Sequence, residues 1–177
     1  MTWRGPVCRC GPRAQYGRPV NATHPRIQQV VDALAERGVV DEVVRVLPDS
    51  ARTAREAADA LGTEVGAIAN SLVFASGGEP VLILTSGAHQ VDTALVAAIH
   101  DLLPLERADP DFVRAATGQV IGGVAPIGHP APLRTFVDLA LRDHEVVWAA
   151  AGHPHAVFAT SFDQLVEITG GTPTEVG

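Results

Sequence analysis

Two apolar runs separated by four residues constrain this chain more than anything else in it. Ile68 to Ala75 (IANSLVFA) and Pro80 to Thr85 (PVLILT) flank Ser76-Gly77-Gly78-Glu79. Paired glycines accept the turn conformations that join antiparallel strands, so the two runs are predicted to form a hairpin. Both are apolar at most positions rather than at alternate ones, which is the pattern of central strands.

The flanking sequence supplies helices to cover such a sheet. Pro25 opens a helix behind a Thr23 cap, with Ile27, Val30, Val31 and Leu34 at helical spacing and Gly38 as its stop. Val43 to Leu47 reads as a short strand ended by Pro48-Asp49-Ser50. Thr53 and Glu56 make a capping box for a helix from Ala54 to Leu61, closed by Gly62. Asp92 precedes a helix through Ile99, and Asp109 precedes another, Pro110 to Ala116, ended by Gly118. Residues 118–132, with four glycines and three prolines, read as an ordered loop. Leu133 to Leu141 reads as strand then helix, Glu145 to Ala150 and Ala156 to Ala159 as strands. Ser161 caps a final helix stopped by Gly170-Gly171. The irregular alternation predicts an α/β chain of the α+β type: a mixed, mostly antiparallel, partly barrel-like sheet surrounded by helices.

A chain of 177 residues suits one domain and buries enough surface to fold without disulfides or metal. Its two cysteines, Cys8 and Cys10, stand too close together to staple a fold, which fits a reducing compartment. No apolar stretch approaches the ~18–20 residues that cross a bilayer, so no membrane is expected and the cytoplasm is the default. Residues 1–22 carry four arginines and no acid, and are expected to be a disordered basic extension; residues 23–177 are the folded unit. The rest of the chain holds nine arginines against twenty acids, and there is no lysine anywhere. An acidic body of this kind excludes broad, sequence-blind phosphate binding, so any contact with nucleic acid must be local.

None of the common catalytic signatures is present: no Walker loop, no GxGxxG after the first strand, no GxSxG and no HExxH. His129, His153 and His155 sit in turns without carboxylates at matching spacing, so neither a metal nor another cofactor is expected. Three segments carry a stronger signal together. Asn70 and Ser71 are adjacent polar residues inside an apolar strand, which needs a reason. Gly122-Gly123-Val124-Ala125-Pro126 is a G-x-x-x-P loop whose glycines let backbone amides approach a ligand. Ala149-Ala150-Ala151-Gly152 is a small-residue strand end opening a turn. Each has a structural alternative: internal hydrogen bonding at a strand kink for the polar pair, and tight turns for the other two.

In this order the three segments, with the opening helix and the strand and helix after Gly152, resemble the family of the bacterial Cys-tRNA(Pro) deacylase YbaK and of the editing domain inserted in bacterial prolyl-tRNA synthetases. The resemblance covers most of residues 24–171. It implies a pocket for the aminoacylated 3′ end of tRNA and hydrolysis of the ester that joins a wrong amino acid to its tRNA. The aminoacyl-tRNA acceptor end is then the expected partner, with an aminoacyl-tRNA synthetase as a second candidate. Family members usually carry lysine followed by Ser, Thr or Asn where this chain has Asn70-Ser71. An asparagine amide offers neutral donors in place of a full charge, an exchange that costs a few kcal/mol of transition-state stabilisation by order of magnitude.

On this reading Asn70 orients the carbonyl or the terminal ribose, and Gly122 and Gly123 begin a loop whose amides hold the oxyanion. His129 is the side chain with a suitable ordinary pKa to assist. Ser71, Val124, Ala125, Pro126, Ala151 and Gly152 are the substrate-binding set. Ala69, Val124, Ala125 and Ala151 would admit a small amino acid and exclude a large one. The competing reading is a binding module of the same fold, catalytically weak or inactive, that grips an aminoacyl-tRNA end, a nucleotide or a protein. A purely structural interaction domain is a third.

Overall fold

The computed structural model describes residues 24–39, 44–48, 51 and 53–177; the basic segment 1–22 and the Thr23 cap lie outside them. Helix α1 (Pro25–Glu36) starts at His24, whose ring accepts from the Arg26 amide at 3.3 Å, and buries Ile27, Val30 and Leu34. Strand β1 (Arg45–Val46) lies inside the predicted run. Helix α2 (Ala54–Leu61) has both halves of the Thr53–Glu56 capping box and ends at Gly62, whose φ of 68° is left-handed. Strands β2 (Ile68–Ser76) and β3 (Glu79–Ser86) form the predicted hairpin, Ala69 opposite Ser86 and Ser76 opposite Glu79. Helix α3 (Thr93–Ile99) follows its Asp92 cap, and strand β4 (Leu105–Arg107) precedes helix α4 (Pro110–Thr117). Strand β5 (Arg134–Asp138) runs into a 3-10 turn, Leu139–Asp143, rather than an α-helix. Strands β6 (Val147–Ala150) and β7 (Ala156–Thr160), helix α5 (Phe162–Thr169) and strand β8 (Thr172–Thr174) complete the order.

All eight strands join one mixed sheet, ordered β1-β7-β6-β2-β3-β5-β8, with β4 also on β2. Four pairings are antiparallel and three parallel. The sheet stays open, with β1 and β8 at its ends, so its barrel character is only partial. The ladder is interrupted in one place. On the edge away from β3, β2 meets β6 only at Ile68 and Ala69, and β4 only at Phe74 to Ser76. The sheet therefore splits beside Asn70 to Val73, and part of that stretch's backbone faces the gap.

Side chains alternate along each strand, so β2 divides its residues between two layers. Ala69, with Leu82, Leu84, Val137 and Phe158, packs under α1, α4 and α5 through Leu34, Val113 and Leu165. The opposite face carries two separate clusters. Ile68, Trp148 and Val157 pack on Ala57, Ala58 and Leu61 of α2. Val81, Ile83 and Phe136 pack on Val96 of α3, with Phe74 against them. Asn70, Leu72 and Thr85 share that face but belong to neither cluster.

Candidate functional site

A cleft of about 740 Å³ lies on that face of the sheet, a volume ordinary for a small-molecule site. Asn70, Leu72 and Thr85 form its floor, Ser71 of the opposite face also borders it, and Ala54 and Ala57 of α2 stand on one side. Arg107 of β4 and Val113 of α4 stand on another, and Ile121, Gly122 and Val124 bring in the glycine loop. Among the described lining residues there is no Asp or Glu, although the chain carries a net charge of −7. Arg107 is the one guanidinium among the described lining residues. The cleft is therefore electrostatically distinct from the acidic body around it, and it favours an anionic or electron-rich guest.

The loop after α4 is held by its own backbone and by a glutamine. Gln119 is fully buried; its Oε1 accepts from the Ala125 amide at 2.6 Å and its Nε2 donates to the Ile127 carbonyl at 3.4 Å. The Gly123 amide donates to the Val120 carbonyl at 2.9 Å. These bonds consume two of the amides expected to face a ligand, and Pro126 has none. Gly122 and Val124 keep theirs without a partner among the described residues. Gly122 has a φ of 86°, which disfavours any side chain there, with open space on its Cα. Gly123 is required for contact: a Cβ would lie 2.7 Å from the backbone of His153 and Pro154.

The expected site residues fall into two groups. Asn70, Ser71, Gly122 and Val124 all line the cleft, with Ala69 beside them. Ser71 Oγ is buried with no hydrogen-bond partner among the described residues, an open valence beside the cleft that asks for a guest or a water. The structure does not bring Gly123, Ala125, Pro126, Ala151 and Gly152 to the lining. Ala125 and Ala151 are fully buried in the main core. Gly152 presses on α1, where a Cβ would lie 2.7 Å from the Arg26 carbonyl oxygen. Ala150 and Pro154 line the cleft in place of this pair.

His129 is likewise turned away. Its Nε2 donates to the Ala125 carbonyl at 2.9 Å, and its ring borders a shallow depression against α1 with Gln29 and Asp32. Burial lowers its pKa from the ordinary 6.5, the Ala125 carbonyl opposes that, and the nearby Arg37 charge adds to it. It bonds the back of the loop and is not part of the cleft lining, where the expected chemistry would take place.

Sequence reading missed His89, Thr85, Arg107 and Gln119. His89 lines the cleft, and its Nδ1 lies 3.0 Å from Oδ2 of Asp138, which is 1% exposed. The partners are 49 residues apart, and no spacing signals such a pair.

Comparison with known proteins gives the same architecture an identity. The model of the aminoacyl-tRNA editing domain matches residues 48–168. The proline–tRNA ligase of Staphylococcus haemolyticus is 30% identical over 104 residues, which are 59% of this chain and 18% of that protein. The uncharacterized protein YwhH of Bacillus subtilis is 27% identical over 121 residues, 68% of this chain and 76% of its own. This chain thus spans about a fifth of the ligases it matches and three quarters of YwhH. A crystal structure described as a candidate trans-editing enzyme for prolyl tRNA synthetase superposes with a TM-score of 0.82 at 40% identity, covering 86% of this chain and 97% of that one. With its sheet, its split and its glycine loop in that arrangement, this chain belongs to the aminoacyl-tRNA editing domain family.

Proposed function

We propose that this protein hydrolyses the ester bond of a mischarged aminoacyl-tRNA that carries a small amino acid, acting in trans on the acceptor end. The observation that supports this best is the cleft over Asn70, walled by the Gly122 loop and without a carboxylate among its described lining residues, in an otherwise acidic chain. The terminal adenosine and the ester enter the cleft, and Arg107 meets the phosphodiester as a charge partner. Asn70 donates its amide to the ester carbonyl or the ribose. The free amides of Gly122 and Val124 face the oxygen on which charge develops when water adds. Ala54, Ala57, Ala69 and Val124 keep the aminoacyl end narrow. No helix among the described residues is long and apolar enough to cross a membrane, and the cytoplasm, where charged tRNA is used, is the proposed location.

The test is ester hydrolysis on a panel of tRNAs mischarged with Ala, Ser, Thr and Cys. Turnover on one pair, lost in Gly122→Val because a branched residue at φ 86° distorts the loop, supports the reading. No turnover on any pair by the folded protein removes it. The second reading, a module of this fold that binds an aminoacyl-tRNA end without turning it over, draws support from one feature: Asn70 stands where the resemblance expects lysine. Tight binding of the acceptor end without hydrolysis would decide for it, and a prolyl-tRNA synthetase is then the natural delivering partner to test.

A further inference from the structure

We infer that His89, held by Asp138, is the general base of this cleft; the inference rests on the proposed ester hydrolysis. Asp138 ends β5 beside Thr85 of the cleft floor and is almost wholly buried. Its Oδ2 accepts from the Ser86 amide at 2.9 Å and the Thr85 hydroxyl at 3.3 Å, and its Oδ1 from the Ala140 amide at 3.0 Å. A carboxylate so surrounded by donors acts as an acceptor toward His89 as well. The proton between them therefore belongs to His89 Nδ1, at 3.0 Å. That fixes the tautomer, leaving Nε2 as a bare lone pair on a ring whose side chain is 37% exposed and lines the cleft.

The position fits the reaction. Thr85 lies directly opposite Asn70 in the β2–β3 register, on the same face, so Asn70, Thr85, Asp138 and His89 form one polar band across the floor. An ester carbonyl oriented by Asn70 is approached by water from the His89 end of that band. Nε2 takes a proton from the water as its oxygen bonds to the carbonyl carbon. When the intermediate collapses, the bond from carbon to the ribose oxygen breaks, and the imidazolium returns the proton to that oxygen. The products are the free amino acid and the tRNA hydroxyl, with His89 neutral again. Asp138 acts through His89 and is a positioning residue.

The proposal is tested on the mischarged tRNA that the wild-type protein turns over. General-base catalysis is worth about 10²–10⁴-fold, so His89→Ala is expected to lose at least 100-fold in kcat with KM changed less than threefold, and added imidazole to restore part of the loss. His89→Gln keeps a donor for Asp138 but offers no base, so it should fold as wild type and remain as slow as His89→Ala. Nitrogen-15 NMR of the ring in the wild-type protein, which needs no substrate, should show hydrogen on Nδ1 and none on Nε2 in the neutral form. A kcat within threefold of wild type in either variant, or the opposite tautomer, overturns the base while leaving the editing reading intact. Absence of turnover by the wild type overturns the editing reading, and the base role with it.

Discussion

Asn70 places a neutral amide in a cleft whose described lining has no carboxylate, and Asp138 nearby is already taken up by Thr85, Ser86, His89 and Ala140. An ammonium at this half-buried position would be partly desolvated and would compete with His89 for the Asp138 carboxylate, which is costly. Asn70→Lys is therefore expected to lower turnover at least tenfold in single-turnover assays. A gain of that size instead would mark the wild-type chain as a weakened scaffold and favour the binding reading. His129 carries a second expectation. Its native pKa is depressed, so its contribution to stability is complete above the ordinary value near 6.5 and is lost as the pH falls through the lower native value. His100, lowered by burial and by Arg134, has the same sign. Melting temperature should fall between pH 7.5 and 5, and fall less in His129→Gln, whose amide can still reach the Ala125 carbonyl. Asn70 and Ser71 were legible in the sequence because polar residues interrupt an apolar run. His89 was not, because its meaning lies in Asp138, 49 residues away.

At the scale of the element, the loop between α4 and β5 depends on one buried side chain. Gln119→Leu leaves the Ala125 amide and the Ile127 carbonyl without their partner, at a cost of about 1–3 kcal/mol for such a buried group. The expected result is a melting temperature lower by roughly 2–12 °C together with slower ester hydrolysis, read by calorimetry and by the tRNA assay. A loss of activity without a loss of stability would place Gln119 in the chemistry rather than in the scaffold. Helix starts were legible because their chemistry is local: Asp92, Asp109 and Ser161 each accept from amides two or three residues on. Strands β4 and β8 were not, since three residues acquire strand character only from β2 and β5. For the same reason the sequence could not say which side of the loop faces the cleft, and Ala125, Pro126 and His129 proved to lie behind it.

On the scale of the molecule, charge sets how a nucleic acid can be met. A chain with a net charge of −7 repels a polyanion from most directions, and the described lining of the cleft offers one guanidinium, Arg107. Arg107→Ala is expected to weaken acceptor-end binding about tenfold at low salt. It should also flatten the slope of log K against log salt by about 0.7, the value for one phosphate contact on a single strand. An unchanged slope would place the phosphate elsewhere. The split in the sheet has a consequence for solubility as well. Free strand edges invite other chains to add to them and seed aggregation. Here the opening spans only Asn70 to Val73, ~13 Å at about 3.3 Å per residue, and β6 and β4 stop it at either end. A window of that length admits a nucleotide or a single amino acid to the bare backbone but is too short for a neighbour's strand of ordinary length, so this gap is open to a guest and closed to strand addition.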